Sequence, residues 1–201
     1  ASLKRALDIC SDNDGLYEEP DSNKQDAHRT GSSGNWRNSF IKAPYFRESF
    51  TRRGIIQDTF ETSITWERAH SFIEEIKTDI SKAIEKISGK PSLVTCRITH
   101  SYPDGLAPYF TFAAFAKTST MIDVWRGIKL ATNEICISKG GTVTHHHAVG
   151  RDHRPNGYDN QRPELFKEIL TAAKSKVDPN GIMNPGVLID PENKNIYNWL
   201  K

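Results

Sequence analysis

The sequence predicts an α+β fold of the ferredoxin-like kind, in which two helices cover one face of an antiparallel sheet. Two segments, residues 66–88 and 121–139, repeat apolar side chains at helical spacing. Two β-rich segments, residues 92–101 and 108–116, lie between them and are joined by a turn sequence. With further strand patterns at residues 55–61 and 142–147, the order is β-α-β-β-α-β.

The two helices are predicted from apolar positions three and four residues apart. In the first helix these positions are Trp66, Ala69, Ile73, Ile76, Ile80, Ala83 and Ile87. In the second they are Met121, Val124, Trp125, Ile128, Ala131 and Ile135. The first helix should end at Gly89 and Pro91 and the second at Gly140-Gly141, because glycine and proline interrupt helical geometry.

The hairpin is predicted to have one apolar and one polar face, because side chains alternate along a strand. On its second strand Phe110, Phe112 and Ala114 should face the helices, and Tyr109, Thr111 and Ala113 the other side. On its first strand the residues on the polar side are Thr95, Arg97 and Thr99. A sheet face that carries Arg, Thr and Tyr is expected to form the roof of a cleft.

The remaining segments are predicted to be less regular. A helix tail at residues 2–10 precedes a polar linker at residues 11–35, which has almost no large apolar side chains. Residues 36–53 mix aromatics with arginines and predict one or two short helices. A further helix is expected over residues 163–177, and residues 178–186 have turn composition.

The composition excludes several classes of protein. The net charge is +2, so no broad field attracts nucleic acid or an anionic membrane. The mean hydropathy is −0.60, and no apolar run approaches the roughly 20 residues of a membrane span. Three widely spaced cysteines favour reduced thiols in an intracellular protein. Because the chain starts without Met, we expect it to be a piece of a longer polypeptide.

Residues 140–153 are predicted to be the chemical centre, because they hold four of the seven histidines. In a strand, His145 and His147 would face one way and His146 the other, so at most two of the three could converge. A zinc site needs more ligands than that, and we therefore predict no metal. The alternatives are hydrogen bonding and proton handling, or core histidines bonded to backbone, which we expect for at least one of them.

Other side chains are candidates for binding or proton transfer. Tyr109 lies on the polar face, where a phenol beside a cation can act as a base. Arg47, Arg97 and Arg151 compete as anion-binding groups, since guanidinium suits a two-point grip on carboxylate or phosphate.

Five separated motifs follow one another along the chain: APYFRE (43–48), DTFETSITW (58–66), TCRITHSYPDGLAPYFTFA (95–113), GGTVTHHHAVGRDH (140–153) and VDPNGIMNPGVLID (177–190). In this order they resemble motifs of the flavin-linked oxidases of the vanillyl-alcohol oxidase superfamily. The three consecutive histidines are most similar to the alkyldihydroxyacetonephosphate synthase (alkylglycerone-phosphate synthase) branch.

The resemblance implies a division of the chain and a cofactor. Residues 1–35 would be the helix tail and linker, residues 36–150 the cap or substrate domain, and residues 151–201 the segment that returns to the flavin-binding domain. The cofactor implied is FAD, bound mainly by an N-terminal domain or subunit outside this chain. The glycine-rich loops that hold its pyrophosphate are not found here, because Gly31-Ser32-Ser33-Gly34 has no strand before it.

The resemblance also implies roles for individual residues. Tyr109 is similar to the family's active-site tyrosine, His145, His146 and His147 to its catalytic histidine triplet, and Arg47 to the arginine for the substrate phosphate. Arg97 is a second candidate for the substrate, and Asn184 and Arg151 are candidates for the flavin. The family reaction exchanges the acyl group of acyl-dihydroxyacetone phosphate for a fatty alcohol in ether lipid synthesis.

Two alternative functions stay open. One is an FAD-dependent D-2-hydroxyacid dehydrogenase of the D-lactate or glycolate type, with a small hydroxy acid as substrate. The other is a non-catalytic ferredoxin-like module that binds a partner through its open sheet face. A cytoplasmic or membrane-peripheral location, a peripheral membrane contact and a homodimer are compatible with the lipid function.

Overall fold

The computed structural model describes residues 2–17 and 31–190, and the chain forms two compact units, residues 1–46 and 47–201. Helix α1 (Ser2–Asp12) is exposed along its length, and helix α2 (Gly31–Thr51) contains Pro44. The prediction of a linker from residue 11 to 35 is therefore wrong at both ends, and residues 18–30 lie outside the described part. Helix α2 is one continuous helix, stabilised by the stacked pair Trp36 and Phe40 one turn apart.

The second unit contains the predicted sheet and helices. Strands β1 (Ile55–Glu61) and β2 (Ile64–Thr65) are followed by helix α3 (Ala69–Ser88), which a 3₁₀ turn at Trp66–Arg68 precedes. Strands β3 (Leu93–Ser101) and β4 (Gly105–Phe115) form the hairpin, and helix α4 (Met121–Ser138) follows. Strand β4 is central: β3 pairs with one side of it, and β1 and β2 pair with the other, all antiparallel.

The two faces of the hairpin are as predicted. Phe110, Phe112 and Ala114 are fully buried in the core. Phe60 of β1 stacks on Phe110 at 4.8 Å between ring centroids, and helix α3 contributes four buried isoleucine or phenylalanine side chains from one stripe. Helix α3 ends at Gly89, which has the left-handed φ of 67° expected of a C-terminal glycine. The core therefore lies between the sheet and the two helices.

The predicted strand over residues 142–147 is not present, and this segment is an irregular loop. It passes the end of β1, but its backbone N–H groups bind side chains instead of a neighbouring strand. The N–H of Thr142 donates to Oγ1 of Thr62, and that of Val143 donates to Oε1 of Gln161. A strand needs those donors for a backbone ladder, and here they are already used.

The chain enters this loop through two glycines. Gly140 has a φ of 83°, which side-chain-bearing residues rarely adopt. A Cβ on Gly141 would lie 2.6 Å from the ring of Phe72 and from Oγ1 of Thr62. Glycine at this position lets the loop pack closely against the core and brings residues 142–147 to the end of β1.

The C-terminal part is held to the core by buried polar groups. Helices α5 (Asp159–Gln161) and α6 (Glu164–Val177) follow a turn at residues 151–158. The side-chain amide of Asn133 on α4 donates to two carbonyls of this turn, those of Asp152 and Pro155. The buried guanidinium of Arg154 binds Asp159, Asp190 and the carbonyl of Gly186. Along α6 the apolar side chains are largely exposed, as at Leu165, Phe166, Ile169 and Val177. None of the helices in the described ranges is long and apolar enough to cross a membrane.

The stacked pair in the core predicts a large effect of truncating Phe110. Phe110→Ala should lower the free energy of unfolding by about 3–5 kcal/mol, because a fully buried ring is replaced by a cavity. Phe115→Ala is the matched control on the same strand, since that ring is 49% exposed, and it should change stability by less than about 1 kcal/mol. Urea unfolding of both variants measures this, and equal losses would contradict the assignment of the core.

Candidate functional site

The site is organised around the carboxylate of Glu61, the last residue of β1. Its side chain is 1% exposed. Oxygen Oε1 accepts four hydrogen bonds of 2.7–2.8 Å, three from the consecutive backbone N–H groups of His145, His146 and His147 and one from the hydroxyl of Thr144. Successive N–H groups that converge on one anion form a nest. The carboxylate therefore shapes the histidine loop. We call the Glu61 carboxylate together with these four donors the Glu61 clamp.

The clamp keeps Glu61 ionised. Burial alone would raise the pKa of this carboxyl group, but the hydrogen bonds from the backbone of His147, the hydroxyl of Thr144 and the backbone of His145 and His146 lower the pKa to about 2. Donors that favour the charged form thus outweigh desolvation. A fixed negative charge consequently lies beneath the three imidazoles throughout the physiological pH range.

The three imidazoles form one cluster with a fourth, His100 of β3. Ring centroids are 4.5 Å apart for His146 and His147, 5.7 Å for His145 and His146, and 4.7 Å for His100 and His146. The prediction that His146 faces away from its neighbours is wrong, because it assumed strand alternation and the segment is a loop. The clamp turns all three histidines toward the same region.

Tyr109 of β4 lies beside this cluster on the open face of the sheet. Its ring centroid is 6.1 Å from that of His146 and 5.9 Å from that of His147. Its hydroxyl donates to Oγ1 of Thr59 at 3.1 Å, and the guanidinium of Arg97 lies 4.5 Å above its ring. Register explains these contacts, because Tyr109 pairs with Glu61 on one side and with Arg97 on the other.

The fourth histidine of residues 140–153 has a structural role. Nδ1 of His153 accepts a hydrogen bond from the N–H of Gly150, so its proton is on Nε2 when the ring is neutral. Burial lowers the pKa of His153, and the nearby carboxylate of Asp152 offsets this only in part. His153 is thus a half-buried histidine whose ring is bonded to backbone, whereas the expectation of a core histidine bonded to backbone concerns the triplet and stays a prediction there.

The other predicted site residues lie apart from Tyr109. The guanidinium of Arg47 donates to Oδ1 of Asp58 at 2.8 Å. Asp58 also accepts from the indole of Trp125 on α4, so this pair is on the helix-covered side of the sheet. Arg151 donates to the carbonyl of Pro185, beside Asn184, which is exposed and has a φ of 45°. The roles of Arg47, Arg151 and Asn184 stay predictions.

Sequence reasoning missed two members of the cluster. Glu61 is part of the DTFETSITW motif, but its type and position alone do not reveal that three N–H groups converge on it. His100 follows a bulge in β3, and its ring also lies near that of Tyr102, at 6.3 Å. Strict alternation along β3 would put His100 on the face opposite Arg97, and only the bulge between Ile98 and His100 returns its side chain to the side of the site. Hairpin pairing alone therefore could not have placed His100 in the cluster.

Two overlapping groups bring potential metal ligands together, His100 with His145 and His146, and Glu61 with His146 and His147. The reason given from sequence against a metal, strand alternation, therefore does not apply. Nδ1 of His146, however, is in direct contact with Oε2 of Glu61. A zinc ion needs about 2 Å to each ligand atom, so this contact favours a proton between the two groups.

The far end of the open face is apolar. A cavity of about 430 Å³ lies over it, lined by residues of β1, β3 and β4 and by the end of α2. Its apolar lining includes Phe50, Ile55, Leu93, Ala113 and Phe115. The open face thus changes along the strands from ionisable groups at Tyr109 to aliphatic and aromatic groups at Phe115.

Fold and site together define a class of protein. It is an α+β domain whose polar sheet face is uncovered and carries a cluster of imidazoles held by a carboxylate. The chain belongs to the family of FAD linked oxidases, C-terminal domain, whose family model matches residues 20–188. It is 31% identical over 149 residues to the alkyldihydroxyacetonephosphate synthase of Caenorhabditis elegans, which covers 73% of this chain and 25% of the relative. The synthase of Trypanosoma brucei brucei is 26% identical over 160 residues, which covers 80% of the chain and 26% of the relative.

Further similarities come from a bacterial protein and from solved structures. YgcU of Escherichia coli, an uncharacterized FAD-linked oxidoreductase, is 29% identical over 71% of this chain and 30% of its own length. A solved structure of alkyldihydroxyacetonephosphate synthase superposes with a TM-score of 0.57 at 19% identity and covers 91% of this chain and 27% of that one. The predicted fold class is confirmed by this likeness. The chain spans about a quarter of the length of the synthases it matches.

The Glu61 clamp predicts a loss of stability in acid. The pKa of Glu61 is lower in the folded state than its ordinary value of 4.5, so its contribution is complete above pH 4.5 and is lost as the pH falls toward 2. The shift corresponds to about 3 kcal/mol. Urea unfolding at several pH values should show this loss in the wild type, and Glu61→Gln should lack that part of the pH dependence. Identical pH profiles would contradict the clamp.

Proposed function

We propose that this chain is the cap portion of an FAD-dependent enzyme that acts like alkyldihydroxyacetonephosphate synthase. In this proposal it exchanges the acyl group of acyl-dihydroxyacetone phosphate for a fatty alcohol. The observation that carries the proposal is the open sheet face. Tyr109 and the histidine triplet lie at one end of it, and an apolar cavity covers the other end. The relatives that bear the synthase name support it.

The polar end of this face suits proton transfer next to a ketone. Removal of the proton alpha to a carbonyl needs a base, and either the phenol of Tyr109 or an imidazole of the triplet can supply it. The developing oxyanion needs fixed donors, which imidazole N–H groups and the Tyr109 hydroxyl provide. The guanidinium of Arg97, already beside Tyr109, adds a positive charge for an anionic substrate.

The donor set of the open face also fits FAD. Hydroxyl, imidazole and guanidinium groups on one flat surface can hydrogen bond to the polar edge of a planar ring, and Tyr109, Thr59 and the histidine triplet would lie against it. Bound FAD would supply the electrophilic ring that accepts and returns electron density during the exchange. Asn184 and Arg151 belong to this proposal as further flavin contacts. For the substrate phosphate Arg97 on the open face is favoured over Arg47, which pairs with Asp58 on the helix-covered side of the sheet.

The proposal includes an N-terminal FAD-binding domain or subunit that carries most of the cofactor contacts. The exposed apolar side of α6 supports a partner, because leucine, phenylalanine and isoleucine side chains that lie together on one side of a helix are more stable when another surface covers them. An intracellular location, cytoplasmic or membrane-peripheral, is a further part of the proposal.

A D-2-hydroxyacid dehydrogenase is the second candidate. The adjacency of Arg97 and the imidazole cluster favours it, since such enzymes need a base and a carboxylate-binding arginine. The likeness to an FAD-linked oxidoreductase of Escherichia coli is compatible with it. Dye reduction by D-lactate or glycolate, measured on the full-length flavin-loaded protein beside the acyl–alcohol exchange, separates the two candidates. A non-catalytic module would show neither reaction.

Removing a proton-carrying group should abolish turnover. Tyr109→Phe and His146→Ala in the full-length protein should each lower kcat by roughly 10²–10⁴-fold, the usual contribution of a positioned acid or base. His70→Ala is the matched control, because His70 is exposed on α3, and it should retain activity. Turnover near the wild-type rate in both site variants would remove these residues from the mechanism.

The apolar cavity should select for chain length. Ala113→Trp places a bulky ring in the cavity and should lower kcat/KM for a long-chain fatty alcohol by at least about tenfold, because each methylene that loses its buried position costs about 0.8 kcal/mol. A short-chain alcohol should be affected much less. Equal losses for both alcohols would show that the chain does not lie in this cavity.

A further inference from the structure

The three histidines of the triplet differ in their contacts with Glu61. Nδ1 of His146 is in contact with Oε2. Nδ1 of His145 is 3.9 Å from the same oxygen, and Nδ1 of His147 is 3.8 Å from Oε1. Only His146 therefore has a ring nitrogen within bonding reach of the carboxylate.

The two oxygens of Glu61 also differ. Oε1 is used by the four donors of the clamp, which hold the carboxylate in one orientation. Oε2 is buried and has no regular hydrogen bond from any other group in the described ranges. An ionised carboxylate oxygen in that position requires a donor, because an unpaired buried charge is strongly unfavourable.

A proton on Nδ1 of His146 resolves both observations. Nδ1 and Oε2 would repel if each presented a lone pair to the other, and they attract if the nitrogen carries the proton. The neutral ring then has its lone pair on Nε2, on the opposite side of the imidazole. The side chain of His146 is 34% exposed, so the imidazole is not sealed inside the core.

We propose that Glu61 and His146 form a carboxylate–imidazole dyad, in which Glu61 holds the proton on Nδ1 and leaves Nε2 of His146 as the proton acceptor of the site. Glu61 is then a positioning residue, and His146 is distinguished from its two neighbours as the base. This inference rests on the proposed function for its catalytic part. In the step proposed, Nε2 takes a proton from a substrate carbon and leaves the electron pair of the C–H bond on the substrate. The positive charge of the resulting imidazolium is then paired with the Glu61 carboxylate.

The variant Glu61→Gln tests the dyad sharply. Three backbone N–H groups and Thr144 point at the position of Oε1, so the glutamine must place its carbonyl oxygen there. Its NH₂ group then occupies the position of Oε2 and donates toward Nδ1 of His146. The clamp is kept in neutral form, while the tautomer of His146 is reversed to Nε2–H. A merely structural role for Glu61 would leave that tautomer unchanged.

The tautomer can be read from the ring nitrogen shifts of the ¹⁵N-histidine-labelled full chain at alkaline pH. Wild type should show His146 as Nδ1–H and Glu61→Gln as Nε2–H, with exposed His70 as the reference. Glu75→Gln is the matched control, since Glu75 is a half-buried carboxylate on α3 that pairs with Lys139, and it should leave His146 as in wild type. In the full-length protein, Glu61→Gln should lower kcat at least about 100-fold and change KM by less than about threefold.

The outcomes separate the dyad from the proposed function. An Nε2–H tautomer of His146 in wild type, or the same tautomer in wild type and Glu61→Gln, overturns the dyad. If Glu61→Gln does not fold, the wild-type tautomer alone decides. A normal kcat in Glu61→Gln with a reversed tautomer overturns the role in catalysis. If wild type shows the Nδ1–H tautomer but catalyses no exchange, the dyad stands and the proposed function fails.

Discussion

The buried carboxylate of Glu61 is the constraint on which the site depends. One oxygen accepts three consecutive backbone N–H groups and a hydroxyl, so the conformation of residues 144–147 is set by a single side chain. Burying a charge is unfavourable unless hydrogen bonds compensate for the lost water, and four charge-assisted bonds do so here. The same bonds remove those N–H groups from any sheet. The predicted strand at residues 142–147 is thereby replaced by a loop that carries three imidazoles on one side.

The framework around this loop could be predicted from the sequence, because it follows from periodic burial. The apolar spacing of Ile76 and Ile80 and the alternation of Phe110 and Phe112 with Tyr109 each report which face meets the core. The loop at residues 142–147 could not. Its polar and β-branched residues fit a strand equally well, and only the positions of Thr62, Gln161 and Glu61 in space show that side chains capture its donors.

The site was partly predictable for the same reason. A hairpin register fixes Arg97 opposite Tyr109, so their contact follows from strand pairing. The convergence of the histidines depends on a loop whose shape is set 84 residues away by Glu61. Arg47 was expected to bind substrate, but it pairs with Asp58, whose side chain lies on the helix-covered face of the sheet. The sequence does not show that pairing. Long-range polar contacts have no sequence period, and this is why they escape such reasoning.

The chemical gradient along the open face bears on which substrate the site suits. Tyr109 and Phe115 are six residues apart on β4, which is roughly 20 Å of extended strand. A small hydroxy acid beside the imidazoles would leave the apolar end, with Leu93 and Phe115 largely exposed, in contact with water. Uncovered apolar surface of this kind is unfavourable in a soluble domain and usually marks a binding site. A substrate with an anionic head near Arg97 and an aliphatic chain over Ala113 would use both ends of the face, and this supports the proposed lipid-like substrate over the small acid of the second proposal.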